Sequence, residues 1–583
     1  MRGARFFPQA RLNYAENLLH ARPGAAAEAI ISVREDGRRR VLSWDELRDR
    51  TLALAGALSD WGVGPGDRVA AWLPNGPEAV IAMLATSWIG AVFTSTSPDF
   101  GAAGLLDRFG QVRPKVLLVA DGYCYGNKQH DRLPLLPQVL AGLPDTQRVV
   151  VVAELASPVQ VRRRLVGLQL PVPSVMFDDA VGPAPQVVRH SFETPGFILY
   201  SSGTTGVPKC IVHRGAGILL KHLTEHQLHC DVRPGDRVFY YTTLGWMMWN
   251  WQVSALASAA TLVLYDGSPF HPEPAVLMDL AEAEAVTLFG TSAKYLDAAA
   301  KAGLRPAVTH HLPALRTITS TGSPLAAEGF DYVYRDVKRD VHLASISGGT
   351  DLCGCFVLGN PTLPVYPGEI QGPALGMAVD VWDEHGRSLA GQPGVRGELV
   401  CPTPFPSMPL RFFGDDDGTR YDAAYFQRFA PVWTHGDFAS RTRHGGFVIH
   451  GRSDATLNAG GVRIGTAEIY RQVEQLPEVL EALAIGQEWD GDTRIVLFLR
   501  LAADAQLDDE LRQRVTYLLR TQCSPRHVPA RIVAVADMPR TRSGKLAELA
   551  VADVVNGRVV RNVTALANPE SLAAYAGIAD LQS

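Results

Sequence analysis

Few cysteines, no long apolar segment and only a small charge excess limit what this chain of 583 residues can be. Its 7 cysteines, an odd number in a long chain, favour reduced thiols and a cytoplasmic protein over a disulfide-stabilised secreted one. The longest apolar candidate, residues 253–265, contains serine and threonine and is shorter than the ~20 residues that a membrane-spanning helix needs. A net charge of −5 provides no electrostatic reason to expect a nucleic acid or an anionic membrane as partner.

One glycine-, serine- and threonine-rich loop has the composition of a phosphate-binding site. The segment Tyr200–Lys209 reads YSSGTTGVPK and follows an apolar run that predicts a strand. Glycines let the backbone approach a ligand closely, and exposed N–H groups, hydroxyls and one lysine together suit a polyphosphate. The loop is not a Walker A motif, because Pro208 stands where that motif has its second glycine. A plain surface turn is the alternative. The candidate nucleotide contacts are Ser201, Ser202, Gly203, Thr204, Thr205 and Gly206, with Lys209 as a candidate catalytic cation.

Apolar runs alternate with helical stretches over most of the chain, which predicts an α/β architecture with largely parallel sheets. The strand candidates are residues 68–73, 116–120, 149–152 and 261–265, and a typical helix candidate is residues 277–285. Ser43 and Glu46 form the sequence pattern of a capping box at the start of a further helix. Beyond Tyr366, closely spaced glycines and prolines separate short β-like runs, which favours a small barrel or a distorted sheet.

Two groups of residues could be taken for metal sites. His222, His226 and His229 are spaced to share one face of a helix that also carries Glu225, and a polar face near a nucleotide is the preferred interpretation over a metal site. Cys353 and Cys355 lack a second Cys/His pair at zinc spacing, so we do not expect a metal there.

The loop at 200–209 resembles the phosphate loop of the acyl-adenylate-forming enzymes, the superfamily of acyl-CoA synthetases, peptide-synthetase adenylation domains and firefly-type luciferases. Five more segments resemble motifs of that family in the family's order: Gly349–Asp351, Thr434–Asp437, Gly451–Asp454, Gly460–Arg463 and Pro539–Lys545. The resemblance implies an α/β fold. A large N-terminal domain, residues 1–451, would hold parallel-sheet α/β subdomains and a small distorted β-barrel. A small mobile α+β domain, residues 452–583, would carry the catalytic lysine.

The same resemblance implies ATP, Mg²⁺ and coenzyme A as ligands and assigns roles to individual residues. Thr350 would contact the α-phosphate, Asp351 would hold Mg²⁺, and Asp437 would accept both ribose hydroxyls. Asp351 is one methylene shorter than the family's usual glutamate, which allows a water-bridged contact with the metal. Lys545 would bridge the carboxylate and the α-phosphate; a solvated basic tail is the alternative for that segment alone. The remaining nucleotide contacts would be Gly322, Ser323, Pro324, Ser347, Gly349, Arg452 and Arg463.

Transfer of the acyl group to coenzyme A is expected, because only a short segment without a carrier domain follows Lys545. Gly460 and Gly461 would leave room for the pantetheine arm, and Arg520 would contact the CoA nucleotide phosphate. Lys128 is the one candidate cation on the N-terminal side. Asp454 would be the hinge about which the C-terminal domain turns between the two half-reactions.

Within the family, the closest resemblance is to the synthetases that activate acetoacetate, most specifically in the tryptophan-rich run Thr242–Trp251. Trp246, Trp249, Asn250 and Gly348 would form the acyl pocket. Acetyl-CoA synthetases have a pocket-capping tryptophan where this chain has Gly348, so we expect space for a four-carbon acid that a tryptophan at 348 would close. Asn250 or the indole N–H of Trp249 would bind the 3-keto oxygen.

Two alternatives stay open, another short-chain acyl-CoA synthetase and a non-catalytic acyl-nucleotide-binding protein. The segment Leu12–Leu18 resembles one that lies further from the start of related synthetases, so a shortened chain and a naturally short form are both compatible with the sequence. Expected partners are the small-molecule substrates acetoacetate, ATP and CoA, and a lysine acyltransferase and deacylase acting on Lys545.

Overall fold

The computed structural model describes residues 1–20, 23–201, 208–453, 457–459, 462–464, 466–489, 492–522, 527–542, 544–560 and 563–582. The helices are α1 (Tyr14–Leu19), α2 (Trp44–Asp60), α3 (Pro77–Trp88), α4 (Ala102–Val112), α5 (Leu136–Ala141), α6 (Pro158–Leu168), α7 (Gly215–Thr224), α8 (Met247–Val253), α9 (Val276–Ala283), α10 (Ala293–Lys301), α11 (Pro306–Thr309), α12 (Ala327–Tyr332), α13 (Thr419–Tyr425), α14 (Thr466–Val473), α15 (Asp509–Gln522) and α16 (Glu548–Val555).

The strands, in chain order, are β1 (Arg11–Leu12), β2 (Glu28–Arg34), β3 (Arg39–Ser43), β4 (Arg68–Trp72), β5 (Val92–Thr96), β6 (Val116–Ala120), β7 (Gly122–Tyr125), β8 (Lys128–Asp131), β9 (Arg148–Val152), β10 (Ser174–Met176), β11 (His190–Ser191), β12 (Pro195–Ser201), β13 (Lys209–Arg214), β14 (Arg237–Tyr240), β15 (Thr261–Asp266), β16 (Leu288–Ser292), β17 (Thr317–Thr321), β18 (His342–Ser345), β19 (Ser347–Gly349), β20 (Gly354–Leu358), β21 (Gly372–Pro373), β22 (Asp380–Trp382), β23 (Arg396–Cys401), β24 (Arg411–Phe412), β25 (Trp433–Arg441), β26 (Phe447–Arg452), β27 (Leu457–Ala459), β28 (Val462–Ile464), β29 (Val479–Trp489), β30 (Asp492–Leu501) and β31 (Arg531–Ala534).

Two large sheets form the frame of the N-terminal part. One has the order β10-β9-β6-β4-β5-β12-β13-β24 and is parallel from β10 to β12. The other has the order β18-β17-β16-β14-β15-β2-β3 and is parallel from β18 to β2. Parallel strands covered on both faces consist of continuous apolar residues, and all of β6 is buried. The predicted strands at 116–120 and 261–265 and the capping box of α2 are confirmed.

Smaller antiparallel sheets follow the second large sheet. The orders are β19-β20-β21 and β22-β23-β25-β26, and a bridge between Ile370 and Phe447 connects the two regions. Glycines with positive φ, among them Gly368 and Gly376, form the turns that the sequence pattern beyond Tyr366 indicates. This distorted β region completes the predicted N-terminal fold class.

The chain after β26 builds a separate α+β unit. Strands β29, β30 and β31 form its sheet. The two hydrophobic clusters that cover this sheet contain only residues from Leu457 onward, so this part has its own core. The boundary between residues 451 and 452 stays a prediction. None of the helices in the described part of the chain has the length and apolar character that a bilayer crossing requires.

The three histidines of the predicted polar helix face are buried inside the protein. After α7 the helix continues as a π-helical turn, Glu225–His229, and His222, His226 and His229 are all buried. His222 lies 2.7 Å from the Ser254 hydroxyl and 2.8 Å from the Cys353 carbonyl oxygen. Burial lowers the pKa of His222 to about 4, so its imidazole is neutral at pH 7. Periodicity identifies a shared helix face but does not say what covers it.

A buried carboxylate on the same turn connects three elements. Glu225 accepts hydrogen bonds from the Cys355 backbone N–H at 2.7 Å and from the Trp251 indole N–H at 2.8 Å. Its Oε1 also lies 3.2 Å from Nζ of Lys221, which is itself buried. Glu225 therefore ties α7 to α8 and to β20.

We predict that Glu225→Leu lowers the free energy of unfolding by about 3–5 kcal/mol, because it leaves the Lys221 ammonium buried without a counter-charge. The double variant Lys221→Met/Glu225→Leu should recover most of that loss, since it removes both charges. Thermal unfolding of the three proteins measures this. An unchanged melting temperature for the single variant would contradict the assignment of a buried ion pair.

Candidate active site

The phosphate-loop segment connects two antiparallel neighbours in the first large sheet. Ser201, the last residue of β12, pairs with Lys209, the first residue of β13. This register places both ends of the loop side by side at one edge of the sheet. Ser202, Gly203, Thr204, Thr205 and Gly206 lie outside the described residues, so their roles stay predictions.

Lys209 is held by aromatic rings. Its Nζ atom lies 5.7 Å from the ring centroid of Phe412 and 5.7 Å from that of Tyr425. An ammonium at this distance from a ring face is attracted by the ring's quadrupole. The cation at the end of the loop therefore has a defined position.

Tyr425 also contacts the candidate magnesium ligand. Its hydroxyl donates a hydrogen bond of 2.5 Å to Oδ1 of Asp351. Asp351 and Thr350 lie in the turn between β19 and β20, and the buried His213 of β13 lies next to both. Burial lowers the pKa of His213 to about 3, so this imidazole is neutral at pH 7. The carboxylate of Asp351 thus lies beside neutral donors and near the Lys209 cation.

The candidate ribose ligand lies on a neighbouring strand. Asp437 of β25 is buried, and its Oδ2 atom is 3.5 Å from Nε2 of His435. A Cβ atom added at Gly349 would lie 3.3 Å from the His435 ring, and His435 Nε2 is 3.4 Å from the Gly348 carbonyl oxygen. His435 therefore packs between Asp437 and β19, where the candidate contacts Ser347 and Gly349 lie.

The candidate adenine-side loop begins where β17 ends. Gly322 has φ +90°, a conformation that glycine adopts without strain. A Cβ atom at Gly322 would lie 3.7 Å from Cβ of Ser292 and 3.9 Å from Cζ2 of Trp246. Ser323 and Pro324 follow. Because ligands of open α/β sheets bind outside the carboxyl ends of the strands, this edge is the expected place for a nucleotide.

Helix α8 and its N-cap residue Trp246 carry the tryptophan-rich candidates of the acyl pocket, and one assignment there is wrong. The indole N–H of Trp249 donates to Oδ1 of Asn75 at 3.1 Å, and Trp249 is fully buried, so it does not offer a donor to a substrate oxygen. Asn250 is 1% exposed, and its Nδ2 group has no hydrogen-bond partner in the part of the chain that the structure describes. Asn250 is therefore the remaining candidate donor.

The expectation that a side chain at position 348 points into the acyl pocket is also wrong. A Cβ atom at Gly348 would lie 2.0 Å from the Gly354 carbonyl oxygen and 2.5 Å from Cα of Cys355. A tryptophan there would separate β19 from β20 before it could fill a pocket. Gly348 is required for the close approach of these two strands.

The candidate lysine lies in a loop that contacts the N-terminal part. Lys545 is exposed, and Arg542 of the same loop donates a 2.8 Å hydrogen bond to the Asp99 carbonyl oxygen. The backbone of Arg452 ends β26, and that of Arg463 lies in the middle of β28; their roles as nucleotide contacts stay predictions.

The hinge and CoA candidates are only partly within the described residues. Asp454, Gly460 and Gly461 lie outside them. The neighbouring Ser453 donates to Glu398 at 2.8 Å, which anchors the chain before the predicted hinge. Arg520 is exposed in the last turn of α15, and Lys128 is exposed at the start of β8. Their assignment to CoA stays a prediction.

Asp351 fits the predicted magnesium chemistry. Mg²⁺ is usually bound by one or two carboxylates together with substrate phosphates, rather than by a cage of protein ligands. Within the described residues, no group of three or more His, Cys, Asp and Glu side chains could hold a metal ion. A single carboxylate beside the phosphate loop matches binding by one carboxylate together with substrate phosphates. Cys353 and Cys355 are buried in the hydrophobic core.

Sequence reasoning missed three residues of this site. Tyr425 contacts Asp351, 74 residues away in the chain, and Asn75 contacts Trp249, 174 residues away. No local sequence pattern indicates either contact. His435 lies inside the Thr434–Asp437 motif, and this closeness to Asp437 in the sequence was the signal that could have identified it as a site residue.

Comparisons with known proteins identify the family of the chain. The model of the family described as AMP-binding enzyme matches residues 20–408, and that of the AMP-binding enzyme C-terminal domain matches residues 471–545. An acetoacetyl-coenzyme A synthetase of Rhizobium meliloti (strain 1021) is 55% identical over 583 residues, covering 100% of this chain and 88% of that protein. An acetoacetyl-CoA synthetase of Mus musculus is 45% identical over 588 residues, covering 99% and 86%.

Solved structures are similar as well. An acetoacetyl-CoA synthetase from Streptomyces lividans has a TM-score of 0.92 and 43% identity, and the match covers 100% of this chain and 88% of that one. An anthranilate CoA ligase in complex with anthranoyl-AMP has a TM-score of 0.76 and 20% identity over 92% of this chain and 96% of that one, which shows the fold alone. From the family models and the full-length relatives together it follows that the chain belongs to the family of AMP-binding enzymes.

Proposed function

We propose that this chain is an AMP-forming acid–thiol ligase that activates acetoacetate with ATP and transfers the acetoacetyl group to coenzyme A. The observation that carries the proposal is the convergence of Lys209, Asp351 and Asp437 around Tyr425 and His435, in a chain whose full-length relatives are acetoacetyl-CoA synthetases. The acid's carboxylate oxygen attacks the α-phosphorus of ATP and pyrophosphate leaves. The CoA thiol then attacks the acyl carbonyl, and AMP leaves.

The nucleotide half of the site would work mainly by position and charge. Phosphoryl-type displacement needs alignment of the reactants and neutralisation of the developing charge. The loop after Ser201 and the Lys209 ammonium would hold the β- and γ-phosphates, Thr350 would donate to the α-phosphate, and Asp437 would accept the ribose hydroxyls. Mg²⁺, when bound, would neutralise phosphate charge, and Asp351 would hold it.

Lys545 would bridge the acid and the α-phosphate during adenylate formation. We predict that Lys545→Ala slows acetoacetate-dependent pyrophosphate exchange by at least ~10²-fold, the effect of removing one positioned donor. Thioester formation from supplied acetoacetyl-adenylate should change far less, since the adenylate is then already made. Exchange at the wild-type rate would contradict the role of Lys545.

Asn250 would select the acid, because its unpartnered Nδ2 group can donate to the 3-keto oxygen. A donor placed for a substrate oxygen discriminates more strongly than an added methylene in an apolar pocket. Trp246, which lies beside Gly322, would form the wall towards the nucleotide.

We predict that Asn250→Leu lowers kcat/KM for acetoacetate by about 10- to 100-fold and for butyrate by less than about 3-fold, since butyrate has no keto oxygen to bind. Gln252→Met is the matched control, because it also removes a buried side-chain amide from α8. That amide donates a 2.8 Å hydrogen bond to the Val263 carbonyl oxygen. This control should leave the acetoacetate-to-butyrate ratio unchanged. An equal loss for both acids in Asn250→Leu would exclude Asn250 as the keto ligand.

AMP release measured with acetate, propionate, butyrate and acetoacetate separates the proposal from its alternatives. The proposal requires the highest kcat/KM with acetoacetate. A maximum with propionate or butyrate would favour another short-chain acyl-CoA synthetase. The absence of AMP release with every acid would indicate a non-catalytic acyl-nucleotide-binding protein.

The CoA site and the cellular setting belong to the same proposal. Arg520, Lys128, Gly460 and Gly461 would bind coenzyme A, and Asp454 would be the hinge of the mobile domain formed by residues 452–583.

A cytoplasmic location is supported by the free thiols of the six described cysteines, Cys124, Cys210, Cys230, Cys353, Cys355 and Cys401. A lysine acyltransferase and a deacylase would regulate Lys545, whose exposed position is open to a modifying enzyme.

A further inference from the structure

The loop that carries Lys545 is held against the N-terminal part through Arg542. Besides the 2.8 Å hydrogen bond to the Asp99 carbonyl oxygen, the guanidinium carbon of Arg542 lies 4.4 Å from the ring centroid of Phe100. The Asp99 carboxylate lies 3.8 Å from the same guanidinium. Arg542 thus combines a hydrogen bond, a cation–π contact and an ion pair on two adjacent residues.

The surface that receives Arg542 already contains a buried cation. Arg108 of α4 lies with its guanidinium carbon 4.2 Å from the ring centroid of Phe100, and it is 6% exposed. Burial, with a smaller contribution from the Arg542 charge, lowers the pKa of Arg108 to about 10. Docking therefore brings a second guanidinium to the Phe100 ring, and the charge repulsion between the two arginines opposes the contact that the Asp99 ion pair favours.

Phe100 in turn lies beside the acyl wall. A Cβ atom added at Gly245 would lie 3.4 Å from Cε2 of Phe100, and Gly245 directly precedes Trp246. The Ser95 hydroxyl donates to the Leu244 carbonyl oxygen at 3.0 Å, which holds the end of β5 against the same segment. A loop docked on Asp99 and Phe100 is therefore docked next to the candidate acyl pocket.

We propose that Arg542 is a positioning residue for the adenylation half-reaction, because its clamp on Asp99 and Phe100 places the loop that delivers Lys545 to the substrate. This inference rests on the proposed two-step function. The contact belongs to the domain orientation that forms the adenylate, and it is released when the C-terminal domain turns to admit CoA. Arg542 itself does not touch the reacting atoms.

The test compares the two half-reactions in Arg542→Gln. Pyrophosphate exchange should fall about 10- to 100-fold, as expected when a catalytic group is misplaced by about 1 Å, while thioester formation from supplied acyl-adenylate and CoA should stay within about 3-fold of wild type. Phe100→Leu should produce the same split. The double variant should exchange pyrophosphate no more slowly than the slower single variant, because both substitutions remove the same contact between Arg542 and Phe100.

The control is Arg558→Gln, which removes an exposed arginine that pairs with Glu488 inside the C-terminal part and should alter neither half-reaction. Equal slowing of both half-reactions by Arg542→Gln, or no slowing of either, would overturn the proposal. The ratio of the two half-reaction rates is measured with whichever acid the wild-type enzyme activates. A different preferred acid would therefore reject the proposed substrate and still leave the test of Arg542 decisive.

Discussion

The contacts of Tyr425 hold the nucleotide half of the site in one arrangement. Its hydroxyl binds Asp351, its ring lies beneath the Lys209 ammonium, and the same ring stacks on Trp433 with centroids 3.8 Å apart. Trp433 begins β25, the strand that carries His435 and Asp437. One residue at the end of α13 thereby connects β13, the turn with the candidate magnesium ligand and the strand with the candidate ribose ligand. Loss of its position would move three kinds of ligand contact at once.

The two halves of the site differ in how they obtain specificity. In the proposed site, the nucleotide half would use charged groups and backbone, which recognise what every ATP molecule shares. The acyl half would be mainly aromatic, and its candidate donor, the Nδ2 group of Asn250, is buried without a hydrogen-bond partner in the described part of the chain. A buried donor without a partner costs free energy in the empty site and is satisfied when a substrate oxygen arrives. In the proposed function, this difference in free energy would distinguish acetoacetate from a plain four-carbon acid.

The sequence predicts individual strands and helix starts well because these depend on local signals, whereas the two-domain layout followed from the family resemblance. Apolar runs identify strands such as β6, and the Ser43–Glu46 pattern identifies the start of α2. The failures concern contacts between distant segments. Nothing near Trp249 reveals that Asn75 occupies its indole N–H, and nothing near Gly348 reveals the Gly354 carbonyl oxygen against it. The buried histidines of α7 and of the π-helical turn after it show the same limit, because spacing defines a face without identifying its neighbour.

The central claim is that acetoacetate passes through an adenylate before it reaches CoA. The most direct measurement is mass spectrometry of a quenched reaction that contains the enzyme, acetoacetate, ATP and Mg²⁺ but no CoA. The account predicts acetoacetyl-AMP and pyrophosphate in amounts comparable to the enzyme, and conversion of the adenylate to acetoacetyl-CoA and AMP when CoA is added. Formation of ADP and phosphate, or the absence of the adenylate from an enzyme that still makes acetoacetyl-CoA, would contradict it.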